Sequence, residues 1–435
     1  MKLKRKTGFV ISPFSLVLFL TVLCLVFSVL IVEDKGNSLK ESIQQTLGFW
    51  QQGFFGLLDF TLQMMIILVF GYALAIYKPI HSVLKRIAKT PKNASQAVFL
   101  TAGITMLAGL LNWGFGLIIG ALLARFVFLA MEEKGVRSDP VLLAVAGYLG
   151  MAVWHGGLSA SAPLKVAEEG HFLQSKIGVI SVSDTIFSSF NIWGSGGLIL
   201  VFLLVLGILA QKKHKNDPPV YSQPLRPIDG NSKEYTGFLL GGIMILVVIN
   251  QLFYQSVFNL GFLNLNMVNF LLFASTLLAY RGVNEFTEAV SEGLKSSSDI
   301  FIQFPFYAGI LGMVTHSGVL ESTVGYFMDN SSSSVFPVFA LVSSAVVNFM
   351  VPSGGGQWAV QGPILMEISD AMGLSSSKTV MVFSLGDQIS NLLQPFWALP
   401  LLAITGISAK QLLKYGFWLF LAGFSYLMLY VYLFF

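Results

Sequence analysis

Charge is scarce in this 435-residue chain: Asp, Glu, Lys and Arg together make up 11% of it, less than half of the roughly 25% usual for a soluble domain. So few charges cannot cover a water-facing surface, which excludes a cytosolic enzyme. The 54% of hydrophobic residues excludes a disordered chain. The net charge of +4 is too small to suggest a nucleic-acid partner. A single cysteine, Cys24, leaves no disulfide framework and no cysteine metal site. There is no ATP-binding loop, no Gly-x-Ser-x-Gly, no His-Glu-x-x-His and no evident Ser/Lys dyad, so neither an ATP-driven pump nor an enzyme is indicated. An intramembrane hydrolase is only a remote alternative.

What the chain has instead is apolar length, with a mean hydropathy of +0.73. Lys2, Lys4, Arg5 and Lys6 precede an apolar run from Phe14 to Val32. That run is long enough to span a bilayer and ends in Glu33-Asp34 without a small-residue cleavage site, so it reads as an uncleaved first helix. Further apolar runs recur to the C-terminus, many too short to span alone and interrupted by Gly, Pro, Ser and Asn. Basic residues set the orientation. Segment 94–131 is flanked at both ends by basic residues and reads as a re-entrant hairpin with its tip at Asn112–Gly116. Segment 335–371 reads as a second hairpin entering from the other side, with its tip at Pro352–Gly356. With the N-terminus and the 211–236 linker inside and the C-terminus outside, only Lys35, Lys40, Lys165, Lys176 and Lys378 of the 26 Lys and Arg fall outside.

The two halves share landmarks. Gln63, the Asn112 tip and Pro163 in the first half are followed, at nearly equal offsets, by Gln303, Asn348 and Pro395 in the second. An internal repeat follows. The extra span at 237–253 makes it inverted. The chain is therefore read as an all-α polytopic membrane protein of two inverted-topology repeats, each with a re-entrant helical hairpin and a broken transmembrane helix. The first repeat is 1–210, with its broken helix near 155–163. The linker is 211–236. The extra helix and second repeat occupy 237–435, with the broken helix near 387–395. Inverted repeats with broken helices at the midplane are the architecture of secondary transporters.

Non-helical backbone at membrane depth is tolerated where it lines a cavity or is buried in protein. Ser353, Gly354, Gly355, Gly356 and Gln357 precede a predicted helix, whose free N–H groups and partial positive charge suit a carboxylate. A tight turn or small-residue packing is the alternative. Asn112, Gly114 and Gly116 form the facing tip. Gly156, Gly157, Ser159 and Ser161 lie in the first break, Asn391 and Gln394 in the second, and all are candidates for binding substrate. Asp387 is the strongest candidate for ion coupling, by binding Na⁺ or by carrying a proton, and Gln388, Asn348 and His155 are further candidates. A capping or salt-bridged carboxylate and a structural histidine remain the alternatives. No cofactor is expected beyond a coupling Na⁺ or H⁺.

Asn112-Trp113-Gly114-Phe115-Gly116, the stretch Gln303–Ile310, Pro352-Ser353-Gly354-Gly355-Gly356-Gln357-Trp358 and Gln394-Pro395-Phe396-Trp397-Ala398-Leu399-Pro400 together resemble the bacterial short-chain fatty acid transporter family, in order and over nearly the whole chain. The resemblance implies a multi-pass protein of the bacterial cytoplasmic membrane. It implies ion-driven import of a short-chain monocarboxylate such as butyrate or acetoacetate, and membership of a wider group of transporters with inverted hairpin repeats. Transport of a dicarboxylate or an amino acid is the alternative. The expected partners are the substrate and the lipid bilayer, with a homodimer left open.

Overall fold

The computed structural model describes residues 13–211, 226–230, 233–253, 263–319, 322, 326, 332–351, 353–394 and 397–435. The basic N-terminal residues, most of the 211–236 linker, Pro352 and Pro395 lie outside the described residues. Within them the chain is helical, with one isolated parallel bridge between Tyr77 and Ile228.

Seven described helices are long and apolar enough to cross a membrane. Helix α1 (Pro13–Asp34) is apolar around its whole circumference, as a membrane helix is. Helix α2 (Leu39–Gly53) is amphipathic and opens with a capping box between Ser38 and Glu41. Helix α3 (Leu58–Ala75) runs back through the core to the amphipathic α4 (Lys78–Ala88). A hairpin follows, α5 (Ala94–Leu111) and α6 (Trp113–Glu133). The limbs are divided by Asn112, whose extended backbone (φ −158°, ψ 126°) stops one helix while its side-chain oxygen caps the next at Phe115 N.

The next span is broken. Helix α7 (Pro140–Ala146), capped by Asp139, gives way to tight turns at Leu149–Ala152 and Trp154–Gly156 before α8 (Ser161–Val166). The break thus begins near Gly147, earlier than the sequence suggests. Short α9 (Gln174–Ile177) precedes α10 (Ser189–Ala210). Leu200, Leu204 and Ile208 of α10 are more than 60% exposed, an apolar face for lipid tails. Then come α11 (Thr236–Phe253), α12 (Leu265–Tyr280) and the amphipathic α13 (Val283–Ser296).

The order of elements then recurs. Helix α14 (Ser298–Ser317) is followed by a hairpin of α15 (Phe336–Met350) and α16 (Gly354–Ala371). A span broken after α17 (Ser376–Ser390) and resumed at α18 (Leu399–Thr405) leads to α19 (Ala409–Phe434). Helix α17 continues unbroken through Asp387, so the second break starts at Asn391 rather than at the carboxylate. Small residues bring the first hairpin and the first break together: a Cβ on Gly116 would lie 2.6 Å from Gly109 Cα, and one on Gly109 would lie 2.6 Å from Gly150 O. Only hydrogen side chains permit those crossings.

Candidate functional site

Both hairpin tips are buried and both meet a break. At the first, Asn112 donates to Ile67 O (3.2 Å), Trp113 N donates to Ser159 Oγ (2.9 Å) and Leu158 N to Leu110 O (2.7 Å). At the second, Asn348 Nδ2 lies 2.8 Å from Asp387 O, 2.8 Å from Ser390 Oγ and 3.0 Å from Asn391 Oδ1. Asn391 donates onward to Met151 O and Gln394 to Asn348 O. The break of one half is therefore knitted to the break of the other, and irregular backbone finds its partners without water.

The glycine tip caps itself. Ser353 Oγ accepts from Gly356 N (3.2 Å), which leaves the first N–H groups of α16 without intrahelical partners. Each glycine of the tip is closely packed. A Cβ on Gly354 would lie 2.5 Å from His155 Cε1, and one on Gly355 would lie 3.0 Å from the Phe60 ring. One on Gly356 would run into the Tyr307 ring. Beside the tip, His155 and Asp387 are in contact, Nδ1 to Oδ2 at 3.0 Å, with exposures of 0% and 1%. His155 N donates to Gln388 Oε1 (2.9 Å), and the imidazole lies against the Trp154 ring at 3.7 Å. Imidazole Nε2 and carboxylate Oδ1 of the pair have no partner.

Two cavities meet here. The smaller, about 20 Å³, is lined by Ser353, Gly354, Asp387 and Asn391 on its polar side and by Met64 and Trp154 among its apolar walls. The larger, about 230 Å³, shares Trp113, Phe304, Ser353 and Trp397 with it and extends past Gly114 and Gln303 to Tyr72, Lys295 and Ser298. Its mouth is at the end of the bundle where α3 finishes and α13 lies. Trp113 and Trp397, edge to face at 5.2 Å, stand at the waist between the two. The indole N–H groups of Trp113 and Trp154 are buried without a partner. An unpaired buried donor costs about 1–3 kcal/mol, so these two indole N–H groups are sites that a ligand oxygen would satisfy.

Of the residues singled out from sequence, Gly114, Ser353, Gly354, Asn391 and Asp387 line a cavity. Gly116, Gly156 and Gly157 serve close packing: a Cβ on Gly156 would meet Ser195, and one on Gly157 would meet Leu110 O. Asn112, Ser159, Asn348 and Gln394 hold the tips and breaks together. Gln357 donates to Ser344 O and Gln361 Oε1 between helices. Ser161 is buried with an unpartnered hydroxyl and lines neither cavity. Sequence reasoning passed over Trp113, Trp154 and Trp397 as binding residues, although Trp113 and Trp397 sit inside the quoted motifs.

It also passed over a second buried pair. Lys165 Nζ lies 2.5 Å from Glu168 Oε2, Gln63 Nε2 donates to Glu168 Oε1 (2.7 Å), and Lys165 donates to Gln63 Oε1 (3.2 Å). Asn266 Oδ1 accepts from Gln63 Nε2, and Asn269 Nδ2 donates to Gln63 O. This network ties α3, α8 and α12 near the ends opposite the cavity mouth.

Paired hairpins, broken spans and a buried polar site between them define the chain as a polytopic membrane transporter. Its fold is similar to that of Neisseria gonorrhoeae MtrF, described as one of a class of antimetabolite efflux pumps, with a TM-score of 0.56 and 14% identity, covering 97% of this chain and 95% of that one. By sequence the chain belongs to the short chain fatty acid transporter family, whose profile matches residues 6–218 and 231–435. A protein of Escherichia coli (strain K12), provisionally named a short-chain fatty acid transporter, is 36% identical over 379 residues, covering 84% of each chain. A Haemophilus influenzae protein with the same provisional name is 33% identical over 389 residues, covering 85% of this chain and 86% of its own. The chain is thus a multi-pass protein of the cell membrane.

Proposed function

We propose that this protein imports a short-chain monocarboxylate, such as butyrate or acetoacetate, by ion-coupled secondary transport, and that the carboxylate docks at the smaller cavity. The observation that carries the reading is the pair of unpartnered buried donors there, the Trp113 and Trp154 indole N–H groups, beside the buried N-terminal end of α16 at Ser353 and Gly354. A carboxylate satisfies such donors without a buried Arg or Lys. The apolar walls, Met64 and Phe304 among them, suit a short hydrocarbon tail, which would extend through the Trp113–Trp397 waist.

Alternating access follows from two inverted repeats rocking about this site. The basic residues Lys78, Lys85 and Arg86 lie at the end of the bundle where the larger cavity opens, which makes that end cytoplasmic. The arrangement is then inward-facing, with the Lys165–Glu168–Gln63 network closing the outer side. The test is uptake and counterflow of labelled butyrate and acetoacetate in proteoliposomes, read at early times above protein-free vesicles because the protonated acids also cross lipid unaided. Saturable counterflow inhibited by other short monocarboxylates supports the reading. Inhibition by succinate or an amino acid, with none by butyrate, transfers the site to the other substrate class.

A further inference from the structure

Resting on that carboxylate-binding reading, we propose that the coupling ion is a proton carried by the His155–Asp387 pair, one proton entering with each monocarboxylate. Three placements support it. The Nδ1 atom is committed to Asp387 Oδ2 at 3.0 Å and lies 3.3 Å from Ser384 O, so the proton-accepting nitrogen is Nε2. Nε2 has no partner and lies where a Cβ on Gly354 would come within 2.6 Å of it, beside the capped end of α16. Asp387 itself lines the smaller cavity with Ser353 and Gly354.

With a neutral imidazole the pair carries one negative charge, and a second carboxylate beside it is repelled. A proton taken from water on the outer side forms one N–H bond at Nε2 and breaks none within the protein. The pair becomes neutral overall, and Nε2–H becomes a donor beside Gly354, which lines the smaller cavity. Proton and carboxylate then favour each other's binding, and the coupling is reciprocal. On the inner side the substrate leaves and Nε2 returns its proton to water. One anion and one proton cross per cycle, with no net charge moved.

The surroundings leave this pair as the proton-bearing group. Among the elements packed against α17, α15 carries no charged residue. Helix α16 carries Glu367, which pairs with Lys176, and Asp370 at its far end. Helix α8 carries Lys165, committed to Glu168, and α19 carries Lys410 and Lys414 near its start. The α5 and α10 segments packed on the His155 turn carry none. On α17, Lys378 donates to the Phe434 and Phe435 carbonyls. Ser390 Oγ and Asn391 Oδ1 accept from Asn348 Nδ2, and Gln388 Oε1 accepts from His155 N, while Asp387 Oδ1, Asn348 Oδ1 and Gln394 Oε1 have no partner, so the Na⁺ arm of the experiment tests those oxygens directly.

The experiment uses the full chain in proteoliposomes containing a pH dye, with butyrate as probe and protein-free vesicles as background. In the wild type, early net uptake should accelerate as the outside is made acid, acidify the lumen and be indifferent to a Na⁺ gradient. His155→Gln and Asp387→Asn, checked for monodispersity, should retain counterflow at a reduced rate. Their net uptake should fall about tenfold and lose its dependence on outside pH. A wild-type requirement for Na⁺, or wild-type pH dependence in both variants, overturns the proposal. Absence of any wild-type counterflow removes the carboxylate reading, and the proton proposal falls with it.

Discussion

Among the described residues, the buried Lys165–Glu168 and His155–Asp387 contacts are finished differently. Lys165 and Glu168 are joined by Gln63, which takes one hydrogen bond from the lysine and gives one to the carboxylate. The lysine also lies over the Phe60 ring at 5.4 Å. His155 and Asp387 are more deeply buried, yet each keeps one atom without a partner. A saturated buried pair is held by its own bonds and changes only when helices part. An unsaturated one stores a cost that a proton, an ion or a ligand relieves. The difference separates a structural tie from a working site without any appeal to sequence motif.

Breaking the saturated pair should have the largest effect on stability. Lys165→Ala leaves Glu168 buried without its cation, and losing one partner of a buried pair costs about 3–5 kcal/mol. We expect poor recovery from the membrane and a lowered melting temperature by fluorescence-detected gel filtration. Replacing both residues with Met should restore much of the stability, because it removes the charges together. If Lys165→Ala melts like the wild type, the network is not a tie.

Asp387→Asn gives the opposite pattern. It removes a buried charge whose second oxygen has no partner, so the melting temperature should move by no more than the equivalent of about 1 kcal/mol, while net uptake collapses. A large loss of stability with normal uptake in the folded fraction would make this pair structural too. Gly354→Val sharpens the contrast from the side of the tip. The first added carbon already meets the imidazole at 2.5 Å, so the ring must move, and transport should fall about a hundredfold, as when a small misplacement disturbs reacting groups. Normal uptake by a well-folded Gly354→Val protein would show that the imidazole does not need its place against the tip. The smallest effect is predicted for Ser161→Ala. Its hydroxyl is buried, unpartnered and off both cavities, so uptake should change less than about twofold, within a surface-like few tenths of a kcal/mol. A larger loss would bring Ser161 into the site.

Much of the helical layout was legible because apolar runs, amphipathic stretches and the residues that interrupt them carry local signals. The hairpin tip read at Asn112 is where one helix ends and the next is capped. The limits of the breaks were less legible. Asp387, Gln388, Ser390 and Asn391 looked like a polar interruption, but α17 runs on to Ser390 because their side chains and carbonyls meet Asn348 and His155 across the fold. Those contacts join residues far apart in sequence, so no periodicity reveals them. The same holds for Gln63, visible only as a landmark and in fact the link between Lys165 and Glu168. Glycines at the tips could be noticed but not sorted. Spacing does not tell Gly116, which admits a crossing backbone, from Gly354, which borders the cavity.

The most direct test of the central claim, that the unpartnered donors between the hairpin tips hold the carboxylate, is equilibrium binding of labelled butyrate to the purified protein and to a Trp113→Phe/Trp154→Phe variant. Phenylalanine keeps an aromatic wall and removes only the indole N–H donors. The account predicts saturable binding by the wild type and at least about tenfold weaker binding by the variant, the equivalent of ~1.4 kcal/mol. Wild-type affinity in a well-folded double variant would place the carboxylate elsewhere.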